Sequence, residues 1–136
     1  MKKIVVIDGQ GGRIGGQLIT AFREKRVAAD IVAIGTNSIA TANMLKYLPD
    51  AAATGENPVI VACRDADIIV GPIGIVIADA LYGEVTPAMA AAIGQSGATR
   101  VLIPMNKCGS VVAGVEDAPL GELINEAVER ICSELQ

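Results

Sequence analysis

The sequence predicts a three-layer, Rossmann-like α/β domain with a mainly parallel sheet, on three observations. Short β-branched runs alternate with helical patterns along the chain, the rhythm of consecutive βαβ units. The first run ends in Asp8-Gly9 and passes through a glycine-rich turn into a helix, the layout of a nucleotide-binding first unit. Hydrophobic residues make up 51% of the chain but aromatic ones only 2%. The core is therefore built from Ala, Val, Ile and Leu, which suits helices lying close on a buried parallel sheet. At 136 residues the chain is long enough for one domain, residues 1–136, with a genuine core.

Taken in order, Lys2–Ile7 is the first strand, and a helix follows over about Arg13–Lys25 with Ile14, Leu18, Ala21 and Phe22 on one face. Asp30–Ile34 is the second strand, ending in Gly35-Thr36-Asn37-Ser38, where Asn37 or Ser38 caps the next helix. That helix carries Ala40, Met44, Tyr47 and Leu48 on one side and stops before Pro49. Ala51–Ala53 is a short third strand. Glu56 to Arg64 fits either a helix or a strand, and the βαβ rhythm favours a helix with Pro58 in its first turn. Ile68–Val70 is the fourth strand, running into Gly71-Pro72-Ile73-Gly74; a mostly apolar helix over Ile75–Tyr82 follows, ended by Gly83. Thr86-Pro87 caps and opens a helix to about Gln95, and Arg100–Ile103 is the fifth strand. Val111–Val115 reads as one more strand, an antiparallel edge. The last helix, capped by Asp117, shows Leu120, Leu123, Ile124, Ala127, Val128 and Ile131 on one stripe.

Composition narrows the function. A net charge of −4 without a basic cluster argues against nucleic acid. Cys63, Cys108 and Cys132 lack C-x-x-C spacing, so reduced thiols in the cytoplasm are expected rather than a disulfide framework or a zinc site. No targeting segment is evident. The most apolar stretch, Ile68 to Ala78, is broken by Pro72 and two glycines and falls short of the about 20 residues a membrane span needs.

Glycines at 9, 12 and 15, with another at 11, give the spacing G-x-x-G-x-x-G. Such a turn lets backbone N–H groups approach a phosphate, and the helix that follows aims its partly positive end at the same point. In open α/β sheets ligands bind outside the carboxyl ends of the strands. Four segments converge there: Asp8, Gly9, Gln10, Gly11, Gly12, Arg13 and Gly15 after the first strand; Thr36, Asn37 and Ser38 after the second; Gly71, Pro72 and Gly74 after the fourth; and Met105, Asn106, Lys107 and Cys108 after the fifth. A standard NAD site carries an acid at the end of the second strand. Here Gly35-Thr36-Asn37-Ser38 stands in that place, which with Arg13 favours NADP over NAD and leaves a mononucleotide open; Arg13 reads equally as a solvated charge. Asp8 either pins the turn or holds a cation, and pinning is the simpler reading.

Catalytic equipment is thin. There is no histidine, so Ser-His and Cys-His pairs are excluded. The glycine spacing resembles that of short-chain dehydrogenases, but the Tyr-x-x-x-Lys pair is missing: four residues after Tyr82 stands Thr86, and four after Tyr47 stands Ala51. Lys107 beside Cys108 favours a thiolate only if the two side chains meet; a small, buried Cys108 is the expectation. Asp79, in an apolar helix, is expected to be buried and paired or to meet another subunit. A helix apolar all round needs cover on more than one side, so a homodimer through Ile73–Leu81 or its neighbour is also expected.

The runs Ile7-Asp8-Gly9-Gln10-Gly11-Gly12, Gly35-Thr36-Asn37-Ser38-Ile39-Ala40-Thr41, Thr54-Gly55-Glu56-Asn57, Cys63–Ala80, Gly83–Met89 and Ile103–Cys108 carry a resemblance that is nearly end to end. By them the chain resembles a family of small bacterial Rossmann-like proteins, a domain of unknown function. The resemblance implies the fold and no activity; its glycine turn reads glycine where this chain has Arg13. The leading expectation is a cytoplasmic nucleotide- or dinucleotide-binding protein. The alternatives are a small enzyme acting on a phosphorylated or nucleotide substrate through Asp8, Asn106, Lys107 or Cys108, and an interaction protein whose loops bind nothing.

Overall fold

The computed structural model describes residues 1–105 and 108–136. At its centre lies β1 (Lys2–Asp8), buried from Ile4 onward. Ile4 and Val6 join the core on one side of the sheet, Val5 and Ile7 the core on the other. Alternating side chains of one strand thus feed both layers, which is why the run is apolar without a break. There follow α1 (Arg13–Glu24), β2 (Ala29–Gly35), α2 (Ser38–Leu45), β3 (Ala51–Thr54), α3 (Glu56–Cys63), β4 (Ile68–Pro72), a single 3₁₀ turn (Ile73–Val76), α4 (Pro87–Gln95), β5 (Thr99–Ile103) and α5 (Leu120–Glu134). The strands pair in the order β3-β2-β1-β4-β5, all parallel. The chain runs outward from β1 to β3, then crosses back to β4 on the other side of β1, so strand order reverses between β1 and β4.

On one face Leu18 and Phe22 of α1 and Ile124, Val128 and Ile131 of α5 pack on Ile4, Val6, Ile31 and Val70, joined by Met44 of α2. Phe22, the chain's one phenylalanine, is fully buried, and its burial contributes about 3 kcal/mol. On the other face Val59 and Cys63 of α3 and Met89 and Ile93 of α4 cover Val5, Ile7, Ile34 and Ile69. The three-layer class, the parallel sheet and the helical reading of Glu56–Arg64 all stand. The caps are Asn37, whose side chain accepts from the Ala40 N–H at 2.8 Å, and Thr86, which accepts from the Met89 N–H at 3.1 Å.

Four expectations are corrected. Ile75–Tyr82 is not a helix: after the 3₁₀ turn the chain makes tight turns, with Asp79, Leu81 and Tyr82 at positive φ of 66°, 55° and 57°. Apolar content alone does not set helical phase, and Ile75, Ala80 and Leu81 instead plug the α3–α4 core of their own chain. The reason for expecting a second subunit over this segment goes with the helix. Val111–Val115 forms no strand; Gly109 and Gly114 at positive φ turn the chain, and Val112 and Val115 line a groove along β5 without a ladder. α5 starts at Leu120 with Pro119 as its N-cap, not Asp117. Tyr47 and Leu48 lie beyond the end of α2 and are exposed.

Candidate functional site

β1 ends in Asp8, whose side chain is turned back into the protein and 4% exposed. Its Oδ1 accepts the Gly9 N–H and its Oδ2 the Gly15 N–H, both at 2.8 Å. The Gly12 N–H donates to the Gly9 carbonyl at 2.9 Å and closes the turn. Gly12 is required here twice over: its φ is 70°, and a Cβ would stand 2.6 Å from the Ala40 carbonyl oxygen. From α2 the Asn37 Nδ2 donates to the Gln10 carbonyl at 3.0 Å and the Asn43 Nδ2 to the Gly11 carbonyl at 2.7 Å. The turn is thus braced by a carboxylate beneath and a helix beside it. The N–H groups of Gly11 and Arg13 have no partner among the described residues.

Above Asp8 opens a cavity of about 240 Å³ lined by residues 8 to 14 together with Met105 and Leu120. It lies where strand order reverses, at the carboxyl ends of the strands. Two helix starts meet there, α1 after Gly12 and α5 after Pro119; neither N-cap residue offers a capping side chain, and in α1 it is Asp8 that takes the Gly15 N–H. Their unsatisfied N–H groups and aligned dipoles favour an anion. Burial pushes the Asp8 carboxyl up to about 6, against the downward pull of the Gly15, Gly9 and Ile14 amides and with a small push from Glu84.

The β2 side of the same edge is built differently. Glu84, from the turns before α4, reaches across it, and its Oε1 accepts the Gln10 N–H at 2.8 Å, the Thr36 hydroxyl at 2.8 Å and the Asn37 Nδ2 at 2.7 Å. Burial acts to raise its carboxyl, but those three donors outweigh it and hold the group below the usual range. An acid thus stands beside the end of β2, brought from a distant loop, but its Oε1 is taken up by protein donors. A Cβ at Gly9 would lie 2.6 Å from Thr36 Oγ1, 2.7 Å from Leu81 Cδ1 and 2.9 Å from Glu84 Oε1, so this side is packed shut.

The model of the family described as "Domain of unknown function (DUF3842)" matches residues 3–136. The chain belongs to that family. Comparison with curated proteins gives no match. Among solved structures the chain is similar to a dodecameric FMN-dependent UbiX-like decarboxylase from Escherichia coli O157:H7, at 15% identity over 99% of this chain and 94% of that one, with a TM-score of 0.47.

In this DUF3842 chain the remaining expected site residues scatter. Thr36 and Asn37 reach the glycine turn but are engaged by Glu84, while Ser38 is exposed on the first turn of α2. Arg13 is exposed at the mouth of the cavity. Gly71 and Pro72 are buried in β4 and Gly74 in the 3₁₀ turn; a Cβ at Gly71 would strike the Ile7 carbonyl oxygen, so this glycine serves strand packing. Asn106 and Lys107 lie outside the described residues. Cys108 is not buried as expected but exposed, and lines a second cavity of about 470 Å³ with Gln10, Asp79, Ala80, Leu81 and Tyr82. Cys63 is the buried thiol, pushed up to about 11 by burial and so inert. Asp79 is exposed in a turn, its N–H donating to the Val85 carbonyl at 2.7 Å. Among the described residues no group of His, Cys, Asp and Glu is placed to hold a metal ion, and no helix is long and apolar enough to cross a membrane. Sequence reasoning passed over Leu120 and Glu84. Glu84 stands in the Gly83–Met89 run of the family resemblance, but no local spacing ties it to Gly9.

Proposed function

We propose that the chain binds a small phosphorylated ligand of nucleotide type in the cavity between the starts of α1 and α5. The observation that carries this is the meeting of two helix starts, neither capped by its N-cap residue, on one cavity at the strand-order reversal, with the Gly11 and Arg13 N–H groups unengaged. The phosphate sits on those two amides, with the Arg13 guanidinium at the mouth. Asp8 sets the shape of the turn by taking the Gly9 and Gly15 amides, which would otherwise add to a phosphate cradle. The rest of the turn is fixed before the ligand arrives, so little ordering cost is left to binding. A cytoplasmic setting accords with three cysteines that form no disulfide with one another.

A second reading, an enzyme acting on such a ligand, is favoured by one observation. The Asp8 carboxyl lies under the cavity at about 6, close to where a general base works. The binding reading leads because both Asp8 oxygens already accept amide bonds.

The test is Gly11→Val. Nothing lies within 4 Å of a Cβ at Gly11, so the fold is kept, while a branched side chain keeps a phosphate off the Gly11 amide. Calorimetric affinity for AMP and inorganic phosphate is expected to fall about tenfold or more, with the circular dichroism spectrum unchanged. Equal binding by wild type and Gly11→Val would retire the phosphate site.

A further inference from the structure

A nucleotide-binding α/β sheet with a glycine-rich first turn implies a dinucleotide laid across the edge, with one ribose over the end of β2. We infer that this chain excludes dinucleotides because Glu84 closes the β2 half of its sheet edge. The inference rests on the ligand-binding reading above and narrows it to ligands no longer than a mononucleotide.

Three observations converge on Glu84. The donors that would hold a ribose there, the Gln10 amide, the Thr36 hydroxyl and the Asn37 amide, all end on one oxygen of this carboxylate. The backbone at Gly9, which a ribose must approach closely, lacks room even for a methyl group beneath Thr36, Leu81 and Glu84. The α1–α5 side stays open as a cavity of about 240 Å³, separate from the cavity of about 470 Å³ that Asp79 to Tyr82 line beyond Gln10. The α1–α5 cavity is below the roughly 300–1,000 Å³ of pockets that enclose drug-sized ligands.

The closure is built into the backbone. The Gly83 N–H donates to the Asp79 carbonyl at 3.0 Å, the Glu84 N–H to the Leu81 carbonyl at 3.1 Å and the Val85 N–H to the Ala80 carbonyl at 3.1 Å. These bonds hold Asp79, Leu81 and Tyr82 at positive φ, a conformation that non-glycine residues keep only when their surroundings impose it. The exclusion is steric and by occupied donors, since Glu84 fills the space over Gly9 and takes up the Gln10, Thr36 and Asn37 donors. Such a built-in clash is how a site rejects the wrong ligand without altering its contacts to the right one.

The test is calorimetric titration of wild type, Glu84→Ala and Glu84→Gln with inorganic phosphate, AMP, NAD and NADP. Wild type is expected to prefer AMP to either dinucleotide by about tenfold or more, and Glu84→Ala to gain about tenfold or more for NAD. Glu84→Gln keeps the shape and an acceptor oxygen, so it stays closed and shows no such gain. Leu81→Gly is a second opener: it clears the space over Gly9 and relaxes a backbone at φ 55°, so the result does not hang on one variant folding. Wild type binding NAD as tightly as AMP, or no gain for NAD in either folded opener, would overturn the exclusion by Glu84. The phosphate and AMP arms on wild type judge the binding reading separately. AMP binding without an NAD gain sinks only the gate, and an NAD gain in Glu84→Ala without AMP or phosphate binding by wild type sinks only the ligand assigned to the α1–α5 cavity.

Discussion

The two halves of one sheet edge differ in what satisfies their backbone. On the β2 half, Asn37 caps α2, and Glu84 draws in the Gln10 amide together with the Thr36 and Asn37 side chains. On the α1–α5 half, neither Gly12 nor Pro119 caps its helix, Asp8 takes only the Gly15 amide of α1, and both starts open on a cavity. α3 lacks a cap as well and, like α5 with Glu122, carries an acid, Glu56, in its own first turn. A fold that satisfies polar groups so fully elsewhere, with no buried side-chain N or O left unpartnered among the described residues, leaves its open donors where a ligand fits. The difference teaches that the glycine spacing is not a single device. Gly9, Gly12 and Gly15 are packed against neighbouring residues, and Gly11 alone in the turn faces open space.

The sharpest break in that comparison is between adjacent glycines. Gly12→Val puts a β-branched residue at φ 70° and drives its Cβ into Ala40, which is expected to cost about 3–5 kcal/mol. A large drop in the urea midpoint for Gly12→Val, with Gly11→Val unmoved, is the expected result; similar midpoints would mean that the turn does not distinguish them.

The next effect is the titration of Asp8. Its folded value of about 6 lies above its ordinary 3.8, so the folded protein holds this proton more tightly than the unfolded chain does. The stabilisation is full below about pH 4 and is lost as pH rises through about 6, by roughly 3 kcal/mol in all. The lowered carboxyls of Asp50, Asp65 and Glu84 act in the opposite sense, but only as pH falls below the ordinary carboxylate range. Chemical denaturation between pH 4 and 7 should show this slope, and Asp8→Asn should flatten it. A slope unchanged in the variant would assign the titration to another group.

The smallest effect sharpens the closed half. Asn37→Ala removes the α2 cap and the Nδ2 bonds to Gln10 and Glu84, for about 1–2 kcal/mol. Ser38→Ala, at an exposed neighbour without a cap bond, should be nearly neutral by thermal melting. Equal losses would place the cap at Ser38.

Much of this was legible from residues. β-branched runs marked the strands of a doubly covered sheet, and the stripes on α1 and α5 marked their buried faces. Thr86-Pro87 announced the start of α4. Asp8 as the pin of the turn also followed from chemistry, because a carboxylate beside free amides accepts them. What stayed hidden depends on distance along the chain. Glu84 meets Gln10 across 74 positions, a pairing no local period encodes. Asp79, Leu81 and Tyr82 adopt positive φ within a set of turn bonds among residues 77–85 rather than by intrinsic preference, so an apolar run there passed for a helix. Val111–Val115 has the composition of a strand but no ladder partner, and composition cannot supply one.

Tyr82 stands fully exposed at the tip of the turns that carry Glu84, while Tyr47 lays its ring over Gly16 of α1. The chain has two tyrosines and no tryptophan, so its ultraviolet emission comes from these two phenols alone. One is open to a collisional quencher from every side; the other is screened on the side where it meets a helix. Quenching of the unlabelled protein therefore separates into a more and a less accessible fraction. A rearrangement of the Glu84 turns registers in the first, and a loosening of α2 from α1 in the second.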